Sequence, residues 1–305
     1  MFQFNSGRWD SRRIGRFCEA LRQRYPFIGI TVIGTSVMGK PIRALTLGNG
    51  TYRVLFHGAH HANEWITAPL LLRFVSELAA ACDRGEKLVD TDAESLLESA
   101  TLSVVPAVNP DGIDLVTGAL RSGCYYQRAR EIALRYPLIP FPSGWKANIS
   151  GIDLNLQYPA GWEQARENKC LQGITSPAPH DFVGPAPLTA PEARALYDYT
   201  LLYSPALTLS YHTQGGEIYW DYCRKAPPYA QRIAEDFASA SGYRVADAPF
   251  ASSFAGYKDW YIDRFHRPGY TIEAGLGINP LPLSQLNTIY TENFGILLRA
   301  LVPDC

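Results

Sequence analysis

Cysteine is scarce in the sequence, and its spacing excludes the common cysteine-built sites. Six cysteines are dispersed along the chain, at positions 18, 82, 124, 170, 223 and 305. None forms a Cys-x-x-Cys pair, the usual core of structural zinc sites and thiol redox centres. The N-terminus also lacks a basic region followed by an apolar one, so we expect no secretory signal. We therefore predict free thiols and a cytoplasmic location.

Net charge and long apolar runs are also lacking. The chain has 28 basic and 29 acidic side chains, a net charge of −1, which gives no basic surface for nucleic acid. No apolar run approaches the roughly 18 residues of a transmembrane helix, so we predict no membrane span. There is no internal repeat and no low-complexity linker. With 305 residues that are 47% hydrophobic, we predict a single domain over 1–305.

The sequence does contain an ordered series of strand and helix patterns, which predicts an α/β fold. Apolar β-rich runs predict strands at 28–33, 42–47, 53–57, 102–108, 206–211 and 270–273. Helical periodicity predicts helices at 10–24, 65–82, 93–99, 191–203, 227–242 and 283–302. Residues 109–112 are predicted to be a turn, and 116–190 to be largely irregular. Alternation of strands and helices predicts a mixed sheet with helices on both faces.

Residues 57–65 place three histidines and one glutamate between a predicted strand and a predicted helix. Such junctions are where open α/β sheets hold their functional residues. His61 and Glu64 could supply two of the three protein ligands of a catalytic zinc. A single histidine at a strand end is most often structural, and His-x-x-Glu alone is a weak signal. His57 and His61 do not form the helical zinc motif, because Gly58 lies where that helix would begin.

Two later strands end in further candidate ligands. His212 follows the apolar run 207–211, and Glu273 follows 270–272. His212 lies 151 positions after His61, as expected for the distant third ligand of a catalytic zinc. Glu273 is then available as a general base, which would take a proton from zinc-bound water and pass it to the leaving amine.

Several short motifs, in the same order along the chain, resemble those of the zinc carboxypeptidases. They are His61-Ala62-Asn63-Glu64-Trp65, Asn109-Pro110-Asp111-Gly112, Trp145-Lys146-Ala147-Asn148, Gly151-Ile152-Asp153-Leu154-Asn155 and Tyr211-His212, with Glu273 at the position of the catalytic glutamate. The set is specific although each motif alone is not. The resemblance spans roughly residues 10 to 302 and implies an eight-stranded sheet of the zinc carboxypeptidase type.

The resemblance also implies a role for each matching residue. It implies one Zn²⁺ per chain on His61, Glu64 and His212, with Glu273 as the base. Asp153 would orient the imidazole of His61, and its alternative role is that of a capping aspartate.

Lys146 stands where the family has an oxyanion-stabilising arginine, and a lysine donates there without the arginine fork. Asn155 would bind a substrate carboxylate. At position 156 the exopeptidases have an arginine that grips the C-terminal carboxylate, and Leu156 cannot do so. The pocket tyrosine of the family has no residue in register, and Tyr257 is the nearest candidate. Ordinary C-terminal trimming is therefore not expected.

The pattern most resembles the bacterial γ-D-glutamyl-L-diamino-acid endopeptidases. Segments that look like this subgroup include Gln157-Tyr158-Pro159-Ala160-Gly161-Trp162 and Gly256-Tyr257-Lys258-Asp259-Trp260. The leading hypothesis is a zinc peptidase that cuts the γ-D-glutamyl–diaminopimelate bond of a muropeptide. The alternatives are a zinc carboxypeptidase acting on ordinary peptides and a non-catalytic peptide-binding module.

Overall fold

A mixed eight-stranded sheet organises the computed structural model, which describes residues 2–303. The strands are β1 (Gly29–Thr35), β2 (Pro41–Leu47), β3 (Tyr52–Gly58), β4 (Lys87–Leu88), β5 (Thr91–Asp92), β6 (Ala100–Val105), β7 (Leu207–His212), β8 (Glu217–Tyr219), β9 (Arg244–Ala246) and β10 (Gly269–Glu273). The helices are α1 (Ser11–Arg24), α2 (Thr67–Arg84), α3 (Ala93–Ser99), α4 (Pro110–Val116), α5 (Cys124–Ala133), α6 (Trp162–Leu171), α7 (Pro191–Tyr203), α8 (Ala230–Ser241), α9 (Tyr257–Phe265) and α10 (Leu286–Arg299).

The strand order in the sheet is β1-β2-β6-β3-β7-β10-β8-β9, and β4 pairs with β5 in a separate hairpin. The central strands β6, β3, β7 and β10 are mutually parallel. Strand β2 runs antiparallel to both β1 and β6, whereas β8 runs antiparallel to β10 and parallel to β9. Parallel strands need long crossovers, and the connections through α2 and α7 supply them. The predicted α/β class and mixed sheet are confirmed.

Alternate residues of the central strands pack into two cores, one on each face of the sheet. On one face, Val54 and Phe56 of β3 join apolar residues of α1, α2, α8 and α10. On the other, Leu55 joins residues of α7 and α9. Successive side chains of a strand point to opposite faces of the sheet, so a strand covered on both faces contributes alternate residues to the two cores. The strand β7 is buried along its whole length, which makes it the centre of the fold.

Helix α2 is largely buried and follows a 3-10 turn at Ala62–Glu64. By length and composition alone, the 23 residues Ala62–Arg84 could cross a membrane, whereas none was predicted from the sequence. Within the protein, 72% of the most apolar window of this segment is buried. The apolar face of α2 is thus explained by its packing on the sheet and on α1 and α10. The cytoplasmic location stays a prediction.

The turn predicted at 109–112 is wrong, because these residues begin helix α4. The carboxamide oxygen of Asn109 caps the helix by accepting a hydrogen bond from the backbone N–H of Gly112, at 3.0 Å. Pro110 occupies the first helical position, where its missing N–H costs nothing. The strand before it ends at Val105, so the predicted extension to 108 is also wrong.

The region 116–190 is less irregular than predicted, since it contains α5 and α6. Its remaining segments are held by buried amide side chains. Asn148 accepts hydrogen bonds from the backbone of Ser150 and Ile152, each at 3.1 Å. Gln157 accepts one from Ala190 at 2.8 Å. These side chains satisfy backbone groups that have no strand partner.

Other elements were not predicted from the sequence. They are the short strands β8 and β9, the β4–β5 hairpin and the aromatic-rich helix α9. The five cysteines at 18, 82, 124, 170 and 223 are free thiols, as predicted, and Cys305 lies outside the described residues.

Candidate metal and catalytic site

The candidate site lies where three adjacent parallel strands end. The chain leaves β3 and reaches His61, while His212 is the last residue of β7 and Glu273 the last of β10. The register pairs Glu273 with His212, so these two residues lie side by side at one edge of the sheet. Parallel strands bring their carboxyl ends together, and residues 61 positions apart in the chain therefore become neighbours.

A tight turn after β3 sets the position of His61 and Glu64. Ala59 has a φ of 52°, and its backbone N–H donates to the hydroxyl of Thr67 at 2.9 Å. The same hydroxyl donates to the carbonyl of Glu64, also at 2.9 Å. A Cβ at Gly58 would lie 2.8 Å from that hydroxyl oxygen, which leaves room only for glycine. The start of α2 thereby fixes the loop that carries both candidate ligands.

His61, Glu64 and His212 come together as the candidate metal-binding triad. Their ligand atoms all lie within 4.8 Å of one another. The Nδ1 atoms of His61 and His212 each lie 2.9 Å from a different oxygen of Glu64. The two Nδ1 atoms are 3.2 Å apart. Two nitrogen ligands of a tetrahedral zinc are separated by about 3.4 Å, so the spacing suits this ion.

The pKa values of the three triad residues are shifted by burial and by the charges of their neighbours. Burial lowers the pKa of His61, but the carboxylates of Glu64 and Asp153 outweigh it and raise the pKa to about 10. Burial likewise lowers the pKa of His212. For Glu64, burial raises the pKa, but His61 and Lys146 overcome this and hold it well below its ordinary value. In the metal-free site an ionised Glu64 therefore lies beside a protonated His61, which must lose its proton before it can bind a metal.

Asp153 and Lys146 reach the triad from the region 116–190. An oxygen of Asp153 lies 3.1 Å from Nε2 of His61, the nitrogen that does not face Glu64. This is the arrangement in which a carboxylate fixes the orientation of a ligating imidazole. The ammonium of Lys146 lies 3.4 Å from Glu64, and about a third of its side chain is exposed. Burial lowers the pKa of Lys146, but Glu64 and Asp153 raise it overall, so the ammonium stays charged.

Glu273 differs from Glu64 and Asp153 in that its pKa is raised and not lowered. Burial and the nearby charge of Glu64 raise the pKa of Glu273 to about 8, against the opposing effect of Lys146. A carboxyl group with a pKa near neutrality can both accept and donate a proton. The position beside His212, together with this pKa, is what a general base at a metal site needs.

The three predicted substrate-binding residues occupy different environments. Asn155 lines a cavity next to His61, and its oxygen accepts a hydrogen bond from the backbone of Tyr257 at 3.0 Å. Leu156 also lines this cavity but is 7% exposed and packs on Trp162 and Val183. Tyr257 is fully buried, and its hydroxyl bonds with Thr200 at 2.9 Å. The substrate contact predicted for Tyr257 is therefore not supported, because its hydroxyl is used within the core.

The other histidines of the segment are structural in this conformation. His57 is buried with its ring 4.1 Å from that of Tyr257, and His60 bonds with the hydroxyl of Tyr158 at 2.9 Å. Burial lowers the pKa of both imidazoles well below the ordinary value, so both are neutral. Sequence reasoning did not single out Lys169, His180 and Asp181, which line the same cavity as His61. Lys169 lies in α6, which was not predicted, and the other two lie in the irregular segment after it, so no sequence pattern reveals them.

Comparisons with known proteins agree with this arrangement. The γ-D-glutamyl-L-diamino acid endopeptidase 1 of Lysinibacillus sphaericus is 42% identical over 289 residues, which cover 93% of this chain and 69% of that protein. The structure of bovine thrombin-activatable fibrinolysis inhibitor, in complex with tick carboxypeptidase inhibitor, superposes with a TM-score of 0.75 at 18% identity, over 98% of both chains. The murein-tripeptide amidase MpaA of Escherichia coli O157 gives a TM-score of 0.57 at 19% identity, over 91% of this chain and 94% of that one.

The two structural matches share the fold at low identity, and the sequence match extends over most of the chain. Residues 14–295 match the family described as zinc carboxypeptidase, which spans the sheet, the triad and Glu273. The expected resemblance is confirmed, and so is the class of enzyme. The chain is a zinc metallopeptidase of the zinc carboxypeptidase family.

Proposed function

We propose that this protein hydrolyses the amide bond between γ-D-glutamate and a diamino acid, such as diaminopimelate, in peptides derived from peptidoglycan. The main structural support for a metal-dependent hydrolase is that two imidazole nitrogens lie close to the two different oxygens of Glu64. The substrate class is supported by the 42% identity to an enzyme named for that activity. The family is defined by zinc, and the donor set suits it.

We assign the metal to His61, Glu64 and His212. Two imidazoles and one carboxylate form a ligand set used by catalytic zinc, which leaves a further position open. The distance of 3.2 Å between the two Nδ1 atoms supports this, because it is close to the separation of two nitrogen ligands on one tetrahedral zinc. Asp153 would hold His61 in its ligating orientation.

In hydrolysis, each protein group has a separate task. Bound zinc would polarise the scissile carbonyl and lower the pKa of an attacking water. Glu273 accepts a proton from that water and later delivers it to the leaving amine nitrogen. Lys146 donates a hydrogen bond to the carbonyl oxygen as negative charge develops there. A nearby divalent cation favours the ionised form of Glu273, which prepares it to act as a base.

The substrate side of the site differs from that expected of an exopeptidase. Leu156 stands where the resemblance places an arginine for the C-terminal carboxylate, and its side chain is apolar and largely buried. Asn155 remains beside it as a neutral group in the cavity. This supports recognition of something other than a plain C-terminal residue.

A paired cleavage assay tests the proposal. The zinc-loaded protein is incubated with L-Ala-γ-D-Glu-diaminopimelate and, separately, with an N-blocked dipeptide that has an ordinary free C-terminal residue. We expect release of diaminopimelate and little cleavage of the dipeptide, with loss of both activities after chelation. Efficient cleavage of the dipeptide alone would instead identify a zinc carboxypeptidase. Stoichiometric zinc with no cleavage of either would favour a binding module.

A further inference from the structure

The cavity beside the metal-binding triad continues toward charged residues that the reaction does not use. Its volume is about 250 Å³, and it extends from His61 and Lys146 to Lys169 and Asp181. Two hydrogen bonds through one carboxylate connect the two ends. Asp153 contacts His61 with one oxygen and accepts a hydrogen bond from the backbone N–H of Asp181 with the other, both at 3.1 Å. The charged residues are thus held in fixed relation to the candidate metal ligand.

Lys169 and Asp181 form an ion pair on the cavity wall. The ammonium of Lys169 lies 2.6 Å from one oxygen of Asp181, and the other oxygen of Asp181 bonds with His180. Only 7% of the Lys169 side chain is exposed, against 31% for Asp181 and 33% for His180. An ammonium carries three donors. Among the described residues, Asp181 is the one side chain that pairs with Lys169, which leaves donors of the ammonium for a ligand.

The ammonium of a buried lysine normally has a hydrogen-bond acceptor for each of its donors, because an unpaired donor in a low-dielectric site is unfavourable. Here the lysine and the carboxylate present one positive and one negative group, side by side, to the same cavity. The complementary ligand also carries both charges on adjacent atoms. An α-amino acid group meets this requirement, since its carboxylate would face Lys169 and its ammonium would face Asp181, with the four charges alternating in sign.

We propose that Lys169 and Asp181 form a specificity subsite for the free amino-acid end of the diamino-acid side chain. The inference rests on the proposed function and names the feature of the substrate that the enzyme reads. Diaminopimelate ends in a carbon that carries both ammonium and carboxylate, whereas the side chain of lysine ends in an ammonium alone. The subsite distinguishes the two by the carboxylate, which Lys169 would bind.

The same ion pair could serve only as a structural link between α6 and the loop that positions Asp153. The two roles have different consequences. A purely structural link affects the metal and every substrate alike, because it acts through Asp153 and His61. A specificity subsite affects one substrate more than another while zinc content stays unchanged.

The test compares three peptides that differ only in the residue after γ-D-glutamate: meso-diaminopimelate, L-lysine and L-norleucine. We expect the unmodified enzyme to prefer diaminopimelate over lysine by about tenfold to a hundredfold in kcat/KM, the usual worth of a charged hydrogen bond. Lys169→Met removes the charge and keeps the length of the side chain, and it should abolish this preference. Lys169→Arg should restore most of it. Asp181→Asn should reduce the preference for lysine over norleucine.

Lys225→Met is the matched control, since Lys225 also pairs with an aspartate, Asp263, but lies outside the cavity. It should leave all three ratios unchanged. A folded, zinc-loaded Lys169→Met enzyme with the original preference would overturn the subsite. So would an equal loss on all three peptides accompanied by loss of zinc, which would show a structural link. If Lys169→Met fails to fold, the ratios for Lys169→Arg and Asp181→Asn decide.

The subsite can also be tested without turnover. Free diaminopimelate is titrated into the zinc-loaded protein and into the Lys169→Met and Lys225→Met variants by calorimetry. Weaker binding by Lys169→Met alone supports the subsite even if no peptide is cleaved, in which case the proposed function fails on its own. Equal binding by all three proteins contradicts it.

Discussion

The ends of the central strands and the region 116–190 build the two sides of the candidate site in different ways. At the strand ends, backbone ladders fix the positions, so that His212 and Glu273 are neighbours by register. In 116–190, buried side chains replace the ladder. The amide of Asn109, which precedes this region in the chain, donates to the carbonyls of His60 and Ala147, both at 3.0 Å, and so joins the region to the metal-binding loop.

This difference separates two kinds of functional residue. The strand ends supply the candidate ligands and the base, groups that hydrolysis needs whatever the substrate. The region 116–190 supplies Lys146 and Asp153 next to the triad and then Asn155, Lys169 and Asp181 along the cavity. If chemistry belongs to the sheet and selectivity to the irregular region, substitutions on the two sides should have effects of different size and kind.

The largest effect is expected at the strand end of β7. His212→Ala leaves two protein ligands for zinc, so both bound metal and peptidase activity should be lost. Metal content by atomic absorption and activity on the diaminopimelate peptide measure the two losses. His266→Asn, a change at an exposed histidine, is the control and should retain both. Stoichiometric zinc in His212→Ala would remove this residue from the ligand set.

A large effect without metal loss is expected at the end of β10. Glu273→Gln keeps the size of the side chain but cannot accept a proton, and kcat should fall by roughly a hundred- to ten-thousandfold. The zinc content should stay that of the unmodified protein. Loss of zinc comparable to that of His212→Ala would mean that Glu273 is a ligand instead of the base.

Lys146 tests whether the division between sheet and irregular region is strict. Lys146→Met removes the donor near Glu64, and kcat should fall by about a hundredfold or more if the ammonium stabilises the developing oxyanion. KM and the preference for diaminopimelate should change little. A change mainly in KM would assign Lys146 to substrate binding and would make the division between the two regions sharper.

The smallest expected effect is the release of protons when zinc binds. In the metal-free protein the pKa of His61 is raised to about 10 from 6.5, so its imidazole is charged at neutral pH. Zinc needs the neutral form, and Glu273, with a pKa of about 8, should also ionise beside the metal, so zinc binding should release between one and two protons at pH 7. Calorimetry in buffers of different ionisation enthalpy measures this number. A value near zero would mean that His61 is already neutral.

The raised pKa of His61 also makes the stability of the metal-free protein depend on pH. A raised pKa in the folded state stabilises the metal-free protein fully below pH 6.5, and this contribution is lost as pH rises to about 10. The raised pKa of Glu273, about 8, acts in the same direction. Thermal melting of the metal-free protein should therefore show a falling midpoint over this range, which zinc should remove because the metal takes the place of the proton.

The sequence was informative where periodicity and strand ends determine the structure. The bounds of α7 were predicted without error, and the positions of His212 and Glu273 at strand ends followed from the apolar runs before them. The helix that begins at Pro110 was missed, because Asn-Pro-Asp-Gly is also a common turn sequence and the capping bond of Asn109 is visible only in the structure.

Other features could not be inferred because they depend on tertiary packing. The burial of Tyr257 against His57 and Thr200 is set by how α9 lies on the sheet, and no local pattern reveals it. The pair of Lys169 and Asp181 depends on an irregular loop folding back on α6. Three-residue strands such as β8 and β9 owe their pairing to neighbours and carry too few residues for a period to be seen.

The pairing of β3 with β7 joins residues that are 153 positions apart in the chain, as between His57 and Ser210. Contacts of such long range form slowly, because a large loop must close before they stabilise anything. The metal-binding triad cannot exist before this pairing, since Glu64 and His212 are brought together by it. Zinc therefore has no site in the early folding chain and, unlike the metal of a zinc finger, cannot initiate folding. The rate at which a refolding chain takes up zinc should report the completion of the central sheet.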